Sequence, residues 1–282
     1  MVVTMFFDAV EIVQGRRGRG RLSRWFSIVT TLLCVIRKER DGRRGVFCAN
    51  PARVKRGIVS GSWDHGWSGV RRIGAEKPMN VVVALGDSTT DGYGSTVDAN
   101  RRYPDVLARR LAAEHPRLLS ILNAGICWNE LLGIRFPQVG EATVRRVAWD
   151  VLEQTAVTDV IVQIGINDLR HDAQTPALIE GLQRLATLAR EHHLRVFGTT
   201  ILPGAYTSGQ AIQWRLVNSW LRKQGTQYFD AVFDFATPLG HPEDETRLAP
   251  RFNSGDNIHP NDAGYQVMAE TVDLAQLMSG PA

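Results

Sequence analysis

The spacing of apolar positions changes character near Pro78. From Asn80 onward, apolar runs of strand length recur: VVVAL (81–85), VIVQI (160–164), VFGTTI (196–201) and AVFDF (231–235). Runs this continuous suit strands covered on both faces. LLSILNAG (118–125) reads as a further strand. Between the runs the apolar period lengthens toward that of a helix. Segments 103–114, 141–154, 176–193, 213–223 and 263–278 read as helices. Pro104 suits a first helical turn, and Asn261 is a candidate N-cap for the last segment. In 176–193, Leu178, Leu182, Leu185 and Leu188 or Ala189 share one face. Alternating strand and helix predicts a central parallel sheet with helices on both faces.

Before Pro78 the pattern is irregular and the charge changes sign. Residues 1–78 hold 16 Lys and Arg against 6 Asp and Glu, whereas 79–282 hold 17 against 23. The chain is therefore read as a basic N-terminal extension, 1–78, followed by one α/β domain, 79–282. A basic extension can contact nucleic acid or an anionic membrane surface. A solvated extension is the plainer reading, and no nucleic-acid partner is expected. The apolar stretch WFSIVTTLLCVI (25–36) is shorter than the roughly 20 residues that span a bilayer. Arginines precede it as in a signal peptide, but charges follow at once and no small-x-small cleavage site is apparent. A buried strand or short helix explains it equally well. Three cysteines (Cys34, Cys48 and Cys127) make no disulfide framework, although Cys34 and Cys48 can pair. No CxxC and no zinc-spaced His/Cys cluster occurs. Compartment and oligomeric state stay open.

In a doubly wound sheet, ligands gather beyond the carboxyl ends of the strands. The residues there are Gly86-Asp87-Ser88, Asn123-Ala124-Gly125, Gly165-Ile166-Asn167-Asp168 and Leu202-Pro203. Ser88 has three readings: phosphate ligand, turn residue or nucleophile. The first wants GxxxxGK[ST] or GxGxxG, and neither surrounds Ser88. A nucleophilic serine needs a base, usually a histidine oriented by a carboxylate. Of seven histidines, His259 alone stands in DNIHP, three residues after Asp256 and ahead of the last helix. His192 and His193 look solvated, and His171 and His241 lie in polar loops. Asp-x-x-His lets the carboxylate fold back onto Nδ1 and leaves Nε2 for Ser88. Donors for an oxyanion are the Ser88 amide, the Gly125 amide and the Asn167 side chain. Each residue alone reads more simply as a turn, Gly125 as one that needs positive φ.

The four blocks GDSTTDG, NAGI, GIND and DNIHP occur in that order. Together they resemble the SGNH hydrolases, the GDSL-type esterases and lipases, over about residues 80–277. The resemblance implies a flavodoxin-like three-layer α/β/α sandwich and a serine esterase needing no metal or organic cofactor. It implies Ser88 as nucleophile, His259 as general base then acid, and Asp256 as its orienter. Ser88, Gly125 and Asn167 would form the oxyanion hole. The α/β-hydrolase elbow GxSxG is absent. Relatives often show NxGIxGN where this chain has NAGICWN, with Trp128 replacing a glycine. Asp87 and Trp128 are candidates for the substrate pocket, with Trp128 more simply packed on the next helix. The expected partner is a small-molecule ester with a short acyl group: acetyl, aryl or carbohydrate. Alternatives on the same serine are a lysophospholipase, a thioesterase or an acyltransferase. A non-catalytic module holding an acyl or sugar ligand is another.

Overall fold

The computed structural model describes residues 80–114, 119–133, 135 and 140–278, and short strands within the first 72 residues. The sheet is built on β1 (Asn80–Gly86), β2 (Leu119–Gly125), β3 (Val157–Gln163), β4 (Arg195–Thr199) and β5 (Ala231–Phe233). These five run parallel in the order 2-1-3-4-5. That is the flavodoxin-like order, and its switch point falls beside the carboxyl end of β1. Beyond β2, Val2–Met5 and Thr31–Leu33 extend the sheet antiparallel. Two further antiparallel pairs lie in the basic segment, Val10–Gln14 with Trp67–Arg72 and Ile36–Lys38 with Arg44–Val46, while the Cys34–Cys48 pairing lies outside the described residues. Among the described residues no helix is long and apolar enough to cross a membrane.

Each predicted run is a strand because both faces of the sheet are covered. Along β1, Val82 and Ala84 enter one core with Tyr103, Leu107 and Leu111, while Val83 and Leu85 enter the other with Leu178, Leu182 and Leu185. Alternate residues of a strand point to opposite faces, so a run apolar at every position fills two cores. Helices α2 (Tyr103–Glu114) and α7 (Asp262–Thr271) cover the first face. The second is covered by α3 (Thr143–Val147), α5 (Thr175–Glu191) and α6 (Ser208–Gln224). Two short helices follow strands directly: α1 (Ser88–Asp91) and α4 (Ile166–Arg170).

Three helix expectations need correction. The helix read as 213–223 begins at Ser208, because Thr207 and Gln210 form a capping box. The segment read as 141–154 is a short α3 that widens into a π-turn over Ala148–Leu152. The continuous helix read as 263–278 is two. Val272 leaves helical geometry at ψ 118°, and the Asp273 carboxylate accepts the Ala275 N–H at 2.9 Å to start α8 (Leu274–Met278). Buried Val272, Leu274 and Leu277 gain more from the core than from one straight helix. Asn261 caps α7 as expected, its side chain accepting the Gly264 N–H.

Candidate active site

The carboxyl end of β1 turns sharply into α1. Gly86 has no room for a side chain: a Cβ would lie 2.1 Å from Thr90 Oγ1 and 2.2 Å from the Gln163 carbonyl oxygen. Asp87 caps α1, its Oδ1 accepting the Thr89 N–H at 2.9 Å. Ser88 is the first residue of the helix, so its amide has no intrahelical acceptor. Gly92, at φ 98°, closes the helix onto the Ser88 carbonyl.

A loop far along the chain meets this turn. Ser88 Oγ lies 2.7 Å from His259 Nε2, and His259 Nδ1 lies 2.5 Å from Asp256 Oδ2. The Asp-x-x-His spacing has a clear local cause. Asp256 Oδ1 accepts the N–H groups of Ile258 (2.9 Å) and His259 (2.8 Å), while Oδ2 faces the imidazole. Asn253 steadies the loop, accepting the N–H groups of Gly255 and Asn257. Partial burial pulls the Asp256 carboxyl upward, but these N–H groups and the imidazole hold it below the usual carboxylate range. An ionised carboxylate can only accept, so Nδ1 carries a hydrogen, and in the neutral ring the lone pair of Nε2 faces the Ser88 hydroxyl. Tyr93, not singled out in the sequence, lies against the imidazole with ring centroids 4.5 Å apart. Its carbonyl accepts the Tyr265 hydroxyl, which ties α7 to the turn after α1.

The proposed oxyanion donors fare differently. Asn167, at the start of α4, is buried, and its side chain donates one hydrogen to the Asn129 carbonyl oxygen at 2.9 Å. That bond fixes the amide plane and leaves the second hydrogen to point elsewhere. Gly125 does not fit its expected part. Its N–H is engaged by Asn123 Oδ1 at 2.9 Å. Nor is its φ positive. It is glycine because a Cβ would lie 2.1 Å from the Asp91 backbone nitrogen, where α1 crosses the end of β2. The Asn123 side chain secures that crossing by donating to the Thr90 carbonyl at 2.7 Å.

The two pocket candidates also separate. Asp87 is 0% exposed and cannot line an open pocket. Burial pushes its carboxyl up to about 7 against the pull of the Thr89 N–H. Trp128 is 55% exposed, so at most part of it is packed. It sits at φ 64°, in the left-handed region, so the backbone keeps the geometry that suits a glycine there.

Beneath the site lies a hub that sequence reasoning missed. Arg146, on α3, is 2% exposed. It donates to the Gly86 carbonyl (2.7 Å), the Ala124 carbonyl (2.8 Å), Asn129 Oδ1 (2.9 Å) and Asp150 Oδ2 (2.6 Å). One guanidinium thus ties the ends of β1 and β2 to the residue that holds Asn167. An arginine in a mixed helical segment reads as a solvated charge, and no spacing marks it otherwise. Nearby, His171 pairs with the buried Glu130, and the Asp168 carboxylate accepts the N–H groups of Leu131 and Leu132. His171 is thus partnered rather than free in a polar loop. Among the described residues no cluster of His, Cys, Asp and Glu could hold a metal ion.

Asp87 makes stability fall with pH. Its folded-state carboxyl stands above the ordinary 3.8, so the folded chain keeps a proton that the unfolded chain has released. That contribution is complete at low pH and is lost as pH rises toward about 7. Asp87→Asn keeps the cap and removes the titration. Thermal melts at pH ~5.5 and ~8.5 should show the unsubstituted protein losing several degrees more than the variant. Parallel losses in both proteins would place the titration elsewhere.

The family model described as GDSL-like lipase/acylhydrolase matches residues 84–267. No curated protein matches the chain. Solved structures share the fold at low identity. A carbohydrate acetylesterase family member from Sinorhizobium meliloti is 15% identical, with a TM-score of 0.56, over 71% of this chain and 98% of that one. A GDSL-like lipase from Bacteroides thetaiotaomicron is 18% identical, with a TM-score of 0.53, over 70% and 88%. The psychrotrophic esterase EstA from Pseudoalteromonas sp., inhibited by monoethylphosphonate, is 17% identical, with a TM-score of 0.51, over 68% and 93%.

Proposed function

The chain belongs to the GDSL-like lipase/acylhydrolase family, and from that membership we propose that it is a serine esterase acting on carboxylic esters with short acyl groups. The observation that carries the reading is the hydrogen-bonded line from Asp256 through His259 to Ser88 Oγ. Ser88 attacks the acyl carbonyl as His259 Nε2 takes its proton. Asp256 holds the imidazole in the Nδ1–H tautomer and stabilises the imidazolium that forms. The oxyanion is received by the Ser88 amide and the second hydrogen of the Asn167 side chain. His259 then returns its proton to the leaving alcohol, and water repeats the sequence on the acyl-enzyme. The carbohydrate acetylesterase family member that shares the fold favours a small acyl group.

A fluorophosphonate probe tests the reading. It should form one covalent adduct, located on Ser88 by peptide mass spectrometry, and block turnover of p-nitrophenyl acetate. A chain that stays unlabelled and hydrolyses no ester in a chain-length series would be a binding module instead.

A further inference from the structure

A cavity of about 350 Å³ lies between the turn after β4, the strand Asp244–Leu248 and the loop that carries Asp256 and His259. Its walls include Tyr206, Thr207, Asp244, Thr246, Arg247 and Asn257. Its lining residues 204–207 follow the carboxyl end of β4, as Ser88 follows that of β1. Asn257 lies one residue past Asp256 and two before His259, so the cavity adjoins the arm of the site that handles the proton.

The wall chemistry narrows what fits. The Tyr206 hydroxyl donates to the Leu202 carbonyl at 2.8 Å, and its ring packs on Trp214 at 6.3 Å between centroids. The hydroxyl is thereby pinned, and the ring remains as a flat wall. Around it stand a carboxylate, a guanidinium, hydroxyls and an amide. The Thr246 hydroxyl and N–H hold the Asp244 carboxyl below its usual range, so it is an acceptor at neutral pH. Asp244 also lies 4.0 Å from Arg215 and beside Arg247, and Arg215 pairs with Glu245 at 3.0 Å, so two carboxylates stand against two guanidiniums and the local charge balances. An acyl chain wants mainly apolar walls, and an anion wants surplus cations. A neutral ring bearing several hydroxyls uses donors, acceptors and an aromatic face together.

We propose that this cavity binds the alcohol half of the ester as a neutral sugar or other polyol, an inference that rests on the esterase reading above. The acylated hydroxyl reaches toward Ser88, while the rest of the ring lies on Tyr206 among Asp244, Thr246 and Arg247. On deacylation of the ring, His259 supplies the proton to the departing sugar oxygen, the Ser88–acyl bond forms and the sugar C–O–acyl bond breaks at the carbonyl carbon. Water then returns the acid.

Two measurements decide it. In the first, Asp244→Asn and Arg247→Ala are assayed with an acetylated methyl glucoside and with p-nitrophenyl acetate. The ratio of kcat/KM for the sugar ester over the aryl ester should fall ~10-fold in each variant, through KM. An unchanged ratio overturns the assignment. In the second, unacetylated methyl glucoside is titrated into Ser88→Ala and followed by NMR. Amide shifts should centre on Thr246, Arg247 and Asn257, and saturation without shifts there also overturns it. If p-nitrophenyl acetate is not a substrate at all, the esterase reading fails, and the titration still decides whether the cavity takes a polyol.

Discussion

Ser88→Ala should lower turnover of p-nitrophenyl acetate by ~10⁴- to 10⁶-fold while the protein melts near the temperature of the unsubstituted chain. The size follows from what the hydroxyl does. No other oxygen or sulphur nucleophile is bonded to His259 Nε2 among the described residues, so no neighbour can substitute for it. Stability should hold because the side chain is not part of the packing that forms the turn. The turn is fixed by the Asp87 cap, by the Gly92 N–H on the Ser88 carbonyl and by Asn123 on Thr90. Alanine is also at ease in a first helical turn. Asp256→Asn adds a separate check. It keeps the shape but lets the imidazole adopt the other tautomer, and a loss of ~10⁴-fold is the expected scale. Steady-state rates and a thermal melt on the same preparation suffice. Full turnover in Ser88→Ala would end the esterase reading.

The two kinds of information in the sequence were not equally legible. The strands were plain because a strand buried on both faces is apolar at every position, and VVVAL and VIVQI can hardly be anything else. That Asp256 and His259 come together was legible because DNIHP carries its own folding instruction: Asp256 accepts the N–H groups of Ile258 and His259 and faces the imidazole. What failed to show was everything set by contacts across the chain. The side chain that takes the Gly125 amide stands only two residues away, yet nothing in NAG tells whether Asn123 turns toward its own strand or toward solvent. The absence of a Cβ at Gly125 answers to α1, more than thirty residues earlier, not to a turn of its own. The break at Val272 was hidden because its cause is the core contact of three apolar side chains, while local propensity favours one helix throughout. Tyr93 lies in a polar stretch that reads as a loop, and only the fold brings its ring to His259. The burial of Asp87 was equally out of reach, since Asp is mostly exposed and its position in GDS suggests an open site.

Arg146 gives the second large effect, and it separates holding the fold from holding the site. Arg146→Met removes a buried cation and leaves the Asp150 carboxylate without its 2.6 Å partner. Breaking a buried pair from one side typically costs about 3–5 kcal/mol, and the Gly86 and Ala124 carbonyls lose a donor as well. Lysine should not rescue it, because one ammonium cannot reproduce a planar fork directed at four acceptors. The double variant Arg146→Met/Asp150→Leu removes both charges. Replacing a buried pair by apolar groups is often close to neutral, so chemical denaturation should show most of the lost stability restored. Activity should not return with it. Asn129 Oδ1 still lacks the guanidinium, and Asn129 is the residue whose carbonyl orients the Asn167 amide. On the proposed esterase reading the double variant should therefore keep a kcat lowered ~10- to 100-fold with KM little changed, as expected if the Asn167 amide is the proposed oxyanion donor and is held in the wrong place rather than removed. If kcat recovers in step with stability, Arg146 supports the fold alone, and the ends of β1 and β2 hold the Asn167 amide without it.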